Sequence, residues 1–240
     1  MIKKILILAF ILTSMGCAAT QIALEHKDLK TQVQMSETIF LEVSDNMEKS
    51  IYVDIKNTSD KSLEIEDKVI ARLIKDGYEI KNKPSDAFYI LQGNILSVGK
   101  ADPSALKESV HGGYGGAIGG AAIGGAIAGN VTGALAGGLI AGAGDLIAGS
   151  LVKNVTYAIV TDIQISERTS DTVKQVVESS LKQGTGSSVQ QSSSSIKNRR
   201  KYQTRIASSA NKVNLEFEET KLELEDALSR SIAEIGRARV

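Results

Sequence analysis

Tryptophan is absent from the 240 residues, and cysteine occurs once, at Cys17. A single cysteine excludes a disulfide framework and any cysteine-rich zinc site. Histidine stands only at His26 and His111, too few imidazoles for a multi-histidine metal centre. The 28 Lys and Arg balance 28 Asp and Glu, so no excess charge points to nucleic acid or to long-range steering. Aromatics make up 4% of the chain, too few to build a core around large rings. A phosphate-binding G-x-x-x-x-G-K is missing, and Gly113-Tyr114-Gly115 is followed by Ile118 where a third dinucleotide glycine would stand. Cys17 has no His–Asp companions in view, and no carboxylate pair lies in a recognisable catalytic setting. The chain reads as a non-enzyme with no metal site and no cofactor.

What is present begins with a processing signal. Lys3 and Lys4 form a basic start, and Ile5 to Leu12 an apolar run too short to span a bilayer as a helix. Ser-Met-Gly then precedes Cys17, the pattern that a lipoprotein signal peptidase needs. Residues 1–16 are therefore expected to be a leader, with diacylglycerol and N-palmitate carried by Cys17. Ala18 and Ala19 follow instead of an inner-membrane retention Asp, which makes outer-membrane delivery the expectation.

The glycines are concentrated: 15 of 22 lie between Gly112 and Gly149. Over the same stretch, Ser109 through Gly144, 36 consecutive residues include no Asp, Glu, Lys or Arg. Gly112, Gly116, Gly120 and Gly124 recur every four residues, as do Gly125, Gly129, Gly133 and Gly137. On helices these would form two smooth columns of the small-xxx-small kind that lets backbones approach in lipid. Two helices of ~16 residues would each reach about 24 Å, suited to a thin outer membrane. The expectation is a Gly-zipper membrane hairpin over 109–150 whose turn exposes Asn130, Val131 and Thr132. A buried helical hairpin in a soluble domain and a flexible linker are the alternatives; the Ala and Ile content speaks against the linker.

The flanks, 17–108 and 151–240, read as one discontinuous α+β domain on the periplasmic side. Ile51, Val53 and Ile55 alternate as a half-buried strand, and Glu66 to Lys75 has helical spacing with Gly77 at its end. Phe88 to Val98 is a second strand with Gly93 at a bulge, and Val155 to Ile165 alternates most clearly of all. Ser170 to Asn198, with nine serines and no aromatic, reads as a loop. Lys201 to Ser208 is extended again and pairs with the Val155 strand. Leu224, Leu228, Ile232 and Ile235 mark the apolar face of a final helix.

Several runs resemble the TraT family. They include Gln34-Met35-Ser36-Glu37-Thr38-Ile39-Phe40-Leu41-Glu42, Lys56-Asn57-Thr58-Ser59-Asp60-Lys61 and Thr161-Asp162-Ile163-Gln164-Ile165-Ser166-Glu167-Arg168-Thr169. Lys201-Tyr202-Gln203-Thr204-Arg205 and Asn211-Lys212-Val213-Asn214-Leu215-Glu216-Phe217-Glu218-Glu219 continue the likeness in the same order. The resemblance implies an outer-membrane lipoprotein of surface exclusion and complement resistance. Cys17 matches its lipid-bearing cysteine, and the Gly/Ala block matches its membrane-associated segment.

The combined expectation is a mixed α+β domain with an inserted transmembrane helical hairpin, assembled as a ring-like homo-oligomer. Its partners would be further copies of itself, outer-membrane lipid, and mating-pair or complement components. A structural or adaptor lipoprotein of an envelope complex is the alternative.

Overall fold

Alternating apolar residues build a sheet whose two faces are covered unequally. The computed structural model describes residues 26–41, 48–116, 153–183 and 187–235. The strands are β1 (Lys30–Met35), β2 (Ser50–Asn57), β3 (Glu79–Ile80), β4 (Tyr89–Lys100), β5 (Asn154–Gln183) and β6 (Ser187–Val213). The helices among the described residues are α1 (Ile65–Lys75), α2 (Pro103–His111) and α3 (Phe217–Ile235). One sheet runs in the order β1-β6-β5-β4-β2-β3. β2 lies parallel to β3 and β4, and the remaining pairs are antiparallel. The described parts thus form one six-stranded mixed sheet with three helices, without the inserted transmembrane helical hairpin of the expected fold.

The main core lies between one sheet face and the pair α1–α3. Ile65, Val69 and Leu73 repeat every fourth residue on α1 and are buried. Gly77 (φ 85°) ends that helix, with the Tyr78 N–H donating to Leu73 O at 2.9 Å as in a Schellman closure. Leu224, Leu228 and Ile232 of α3 are almost wholly buried against Ile159, Ile163 and Ile206 of the central strands. Polar contacts align the two helices. The Glu225 carboxylate, 1% exposed, accepts from the Glu64 N–H at 3.2 Å and pairs with Lys68 at 2.8 Å. Asp226 is held below the usual carboxylate range by a hydrogen bond from Arg230 and by the charge of Arg72.

Three readings of the sequence need correction. Gly93 makes no bulge: the register of β4 against β5 shifts between Ile95 and Ser97. Gly93 instead gives room to Ile55 and Ile163, which a Cβ would meet at 3.1 Å. The serine-rich stretch is no loop, because Val173–Gln183 pairs in register with Ser187–Lys197 as the outer part of β5 and β6. Its pairing continues a backbone ladder begun by the apolar inner strands, and a ladder of that kind leaves no apolar alternation to read.

The third correction concerns the membrane hairpin. Among the described residues no helix is long and apolar enough to cross a membrane. α1 and α3 carry charged outer faces. α2, where the hairpin was expected to start, has nine residues and reaches ~14 Å, half of a ~30 Å hydrocarbon core.

Candidate functional site

The opposite sheet face carries α2, and here the chain fixes the start of its uncharged segment. Asp102 caps the helix: its carboxylate accepts from the Ser104 N–H at 2.8 Å and the Ala105 N–H at 3.2 Å, with Pro103 in the first turn. Leu106 and Val110 then pack on Ala101, Ala158, Val160 and Ala207. Alanines on the strands let the helix sit close. Asp102→Ala is expected to cost about 0.5–2 kcal/mol, measured by urea unfolding.

The Asp102 contribution depends on pH in a definite sense. Hydrogen bonds from Ala105 and Ser104 hold the carboxyl below its ordinary value of 3.8, against an opposing desolvation. A carboxyl depressed on folding stabilises fully above its unfolded value and loses that stabilisation as pH falls through the folded one. Asp102→Asn keeps a good cap and is expected to flatten this acid-side dependence below about pH 4.

Beyond α2 the chain turns sharply. Gly112 is the helical cap, and Gly113 (φ 65°) and Gly115 (φ 69°) occupy the left-handed region that glycine favours. A Cβ on Gly116 would collide with the Gly112 carbonyl. Gly112 and Gly116 therefore serve a tight turn, not a column along a helix.

A buried ion pair holds that turn. Arg205 of β6 is 1% exposed, and its Nε and Nη2 donate to the two Asp162 oxygens at 2.6 and 3.0 Å. The same guanidinium donates to Ser109 O at 3.1 Å and Gly116 O at 2.9 Å. Asp162 Oδ2 also accepts the Gly115 N–H at 2.8 Å. The two desolvated charges thus meet each other and three backbone groups, the condition under which a buried pair is tolerated. Its effect is positional: it sets where the chain leaves the sheet.

The chain returns elsewhere. Lys153 donates its N–H to the Asn214 side chain at 2.9 Å and accepts the Asn214 N–H at 2.7 Å. Asn214 bends at φ 51°, and next to it the Val213 N–H donates to His26 O at 2.8 Å. The run from Asn154 to Asp162 separates this pole from the clasp by ~26 Å at ~3.3 Å per residue. Between the clasp and the pole, the rest of the expected 109–150 hairpin lies outside the described residues, and with it most of the glycine columns from which the ring-like assembly was expected.

Of the lipid-attachment, helix-packing and exposed-turn residues expected from sequence, only Gly112 and Gly116 lie among the described ones. Cys17, Gly120, Gly124, Gly125, Gly129, Gly133 and Gly137 lie outside them, as do Asn130, Val131 and Thr132. Among the described residues no group of three or more His, Cys, Asp or Glu is placed to hold a metal ion. Asp162 and Arg205 were missed as a pair. Their one signal was a charge within an apolar strand, Val160-Thr161-Asp162-Ile163, which alternation alone assigns to a solvent face.

A pair of cations stands at the far end of the sheet. Arg168 and Arg199 face each other in register. Both donate to carbonyls of the loop before β4: Ser85 O and Ala87 O from Arg168, and Pro84 O, Ala87 O and Phe88 O from Arg199. Burial, and then the neighbouring Arg168 charge, lower the Arg199 pKa. The loop is stitched to the base of the outer ribbon.

The family described as Enterobacterial TraT complement resistance protein matches residues 28–235. An Escherichia coli protein named TraT complement resistance protein is 43% identical over 233 residues, covering 95% of both chains. Another of that name, from Escherichia coli strain K12, is 41% identical over 243 residues, covering 97% of this chain and 98% of its own. A Wigglesworthia glossinidia brevipalpis protein of the same name is 28% identical over 247 residues, covering 97% and 95% respectively.

Proposed function

The chain belongs to the TraT family, and from that membership we propose that it is a lipid-anchored outer-membrane protein of complement resistance and surface exclusion. The observation that carries the reading is likeness along nearly the whole chain, at 43% identity, to a protein named for complement resistance. The family is named for that role and not for a catalytic activity.

The anchor would be diacylglycerol and N-palmitate at Cys17, whose chains each contribute ~0.8 kcal/mol per buried CH₂. His26 follows Cys17 by nine residues, a length of chain that spans at most ~30 Å. An anchored Cys17 would thus keep the pole at His26 and Lys153 near the membrane, with the ribbon of β5 and β6 directed away. In this arrangement homo-oligomers would impede mating-pair contact and complement deposition. The ribbon also favours a second reading, an adaptor that grips another envelope protein.

Expression in a serum-sensitive recipient tests both. The wild-type chain is expected to raise survival in serum and lower plasmid uptake. Cys17→Ser should lose palmitate labelling and return both values to those of the empty recipient. Full protection by an unlabelled Cys17→Ser chain would overturn the anchor. No effect of the wild-type chain on either value would leave the adaptor reading.

A further inference from the structure

Among the described residues, the outer ribbon of β5 and β6 has no third strand. β4 pairs with β5 only as far as Glu167, and β1 pairs with β6 only as far as Met35, opposite Ile206. Beyond Arg168 and Arg199, Val173–Gln183 and Ser187–Lys197 pair only with each other among the described residues. Eleven paired positions extend ~36 Å at ~3.3 Å each. An isolated two-stranded ribbon is marginal in water, and its outer edges present open N–H and C=O groups. Proteins that keep such edges free guard them with Pro or charge. From Ser187 to Ile196 the β6 arm contains neither.

We propose that this ribbon is an assembly edge, on which the β6 arm of one copy pairs antiparallel with the β5 arm of the next. The occupant is a second copy of this chain. The proposal rests on the reading above that all copies are anchored in one membrane, which gives them a common orientation. Like-oriented ribbons can pair antiparallel only β6 to β5, because a β6-to-β6 antiparallel pair makes the two ribbons point in opposite directions. Charge selects the same partner. The β5 arm carries Lys174, Glu178 and Lys182. Centred β5-to-β5 pairing would set Glu178 against Glu178 and Lys174 against Lys182, and like charges directly opposite are destabilising. The uncharged stretch Ser187–Ile196 of the β6 arm opposes nothing to them. The stitched base, where Arg168 and Arg199 hold the loop before β4, fixes the direction in which each edge is presented.

Disulfide scanning tests the edge in the full-length, membrane-extracted chain. Two differently tagged copies are co-expressed with Cys17 retained, one with a cysteine placed in turn along 173–183, the other along 187–197. Cross-links between the β5 arm of one copy and the β6 arm of the other are expected, and copies sharing the same β6 cysteine should not join. Joining of like arms, or no cross-linking between copies at any position, would overturn the proposal. Removing 173–197 should lower the particle mass in detergent while the sheet's circular dichroism persists. An unchanged mass would also overturn it. Palmitate labelling of the same samples separates the two readings: cross-links without label tell against the anchor alone, and label without cross-links against the edge alone.

Discussion

Arg205→Ala is expected to destabilise the protein by about 3–5 kcal/mol, a large share of the ~5–15 kcal/mol typical of a folded domain. The loss would exceed the removed attraction, because the Asp162 side chain, 8% exposed, would be left buried without its bidentate partner. Ser109 O and Gly116 O would lose a donor at the same time. The double variant Asp162→Leu/Arg205→Met shows which effect dominates. Replacing a buried pair by apolar residues is often neutral, yet here it also strands the carbonyl of the fully buried Ser109, at about 1–3 kcal/mol for a buried group left unsatisfied. Partial recovery is therefore expected, with the double variant between Arg205→Ala and wild type. Urea unfolding followed by circular dichroism measures both, since the chain has no tryptophan. An Arg205→Ala midpoint indistinguishable from wild type would remove the clasp from the account. Hydrogen exchange adds a local check: the Gly115 amide should exchange faster in both variants.

Leu228→Ala is expected to cost about 2–5 kcal/mol. Leu228 is 0% exposed, in the middle of the α3 stripe that closes the main core against β5 and β6. Leu224 and Ile232, one turn to either side, are locked by the same contacts and cannot collapse far into the space left behind. The high end of the range is therefore favoured over the low end. The unfolding slope should stay near wild type while the midpoint falls, because the surface exposed on unfolding hardly changes. A shift below about 1 kcal/mol would show that α3 is not the lid of this core.

The readable parts of the fold share one physical property. α1 and α3 each bury one face in the main core, so their apolar residues recur with the helical period and give the element away. Val155 to Ile165 was readable for the matching reason, with apolar residues on every second position. β1 was missed. Its burial comes from pairing at the sheet edge, and of Lys30–Met35 only Val33 and Met35 touch the core. α2 was missed because the glycines that follow it drew the helix boundary to the wrong place. Its cap at Asp102 and Pro103 was nonetheless visible as a start signal.

Sequence alone determined the features that need no partner: the leader pattern before Cys17, the uncharged Gly/Ala segment, the amphipathic helices and the family. Those depend on local composition or on order along the chain. Tertiary structure decided what depends on two distant segments meeting. Asp162 and Arg205 lie 43 residues apart, and only the antiparallel register of β5 on β6 places them opposite each other beneath the turn after α2. Polar residues on an otherwise apolar strand look alike in sequence whether they meet water or a buried partner. The choice is made when a helix from elsewhere in the chain covers that face and takes the water away.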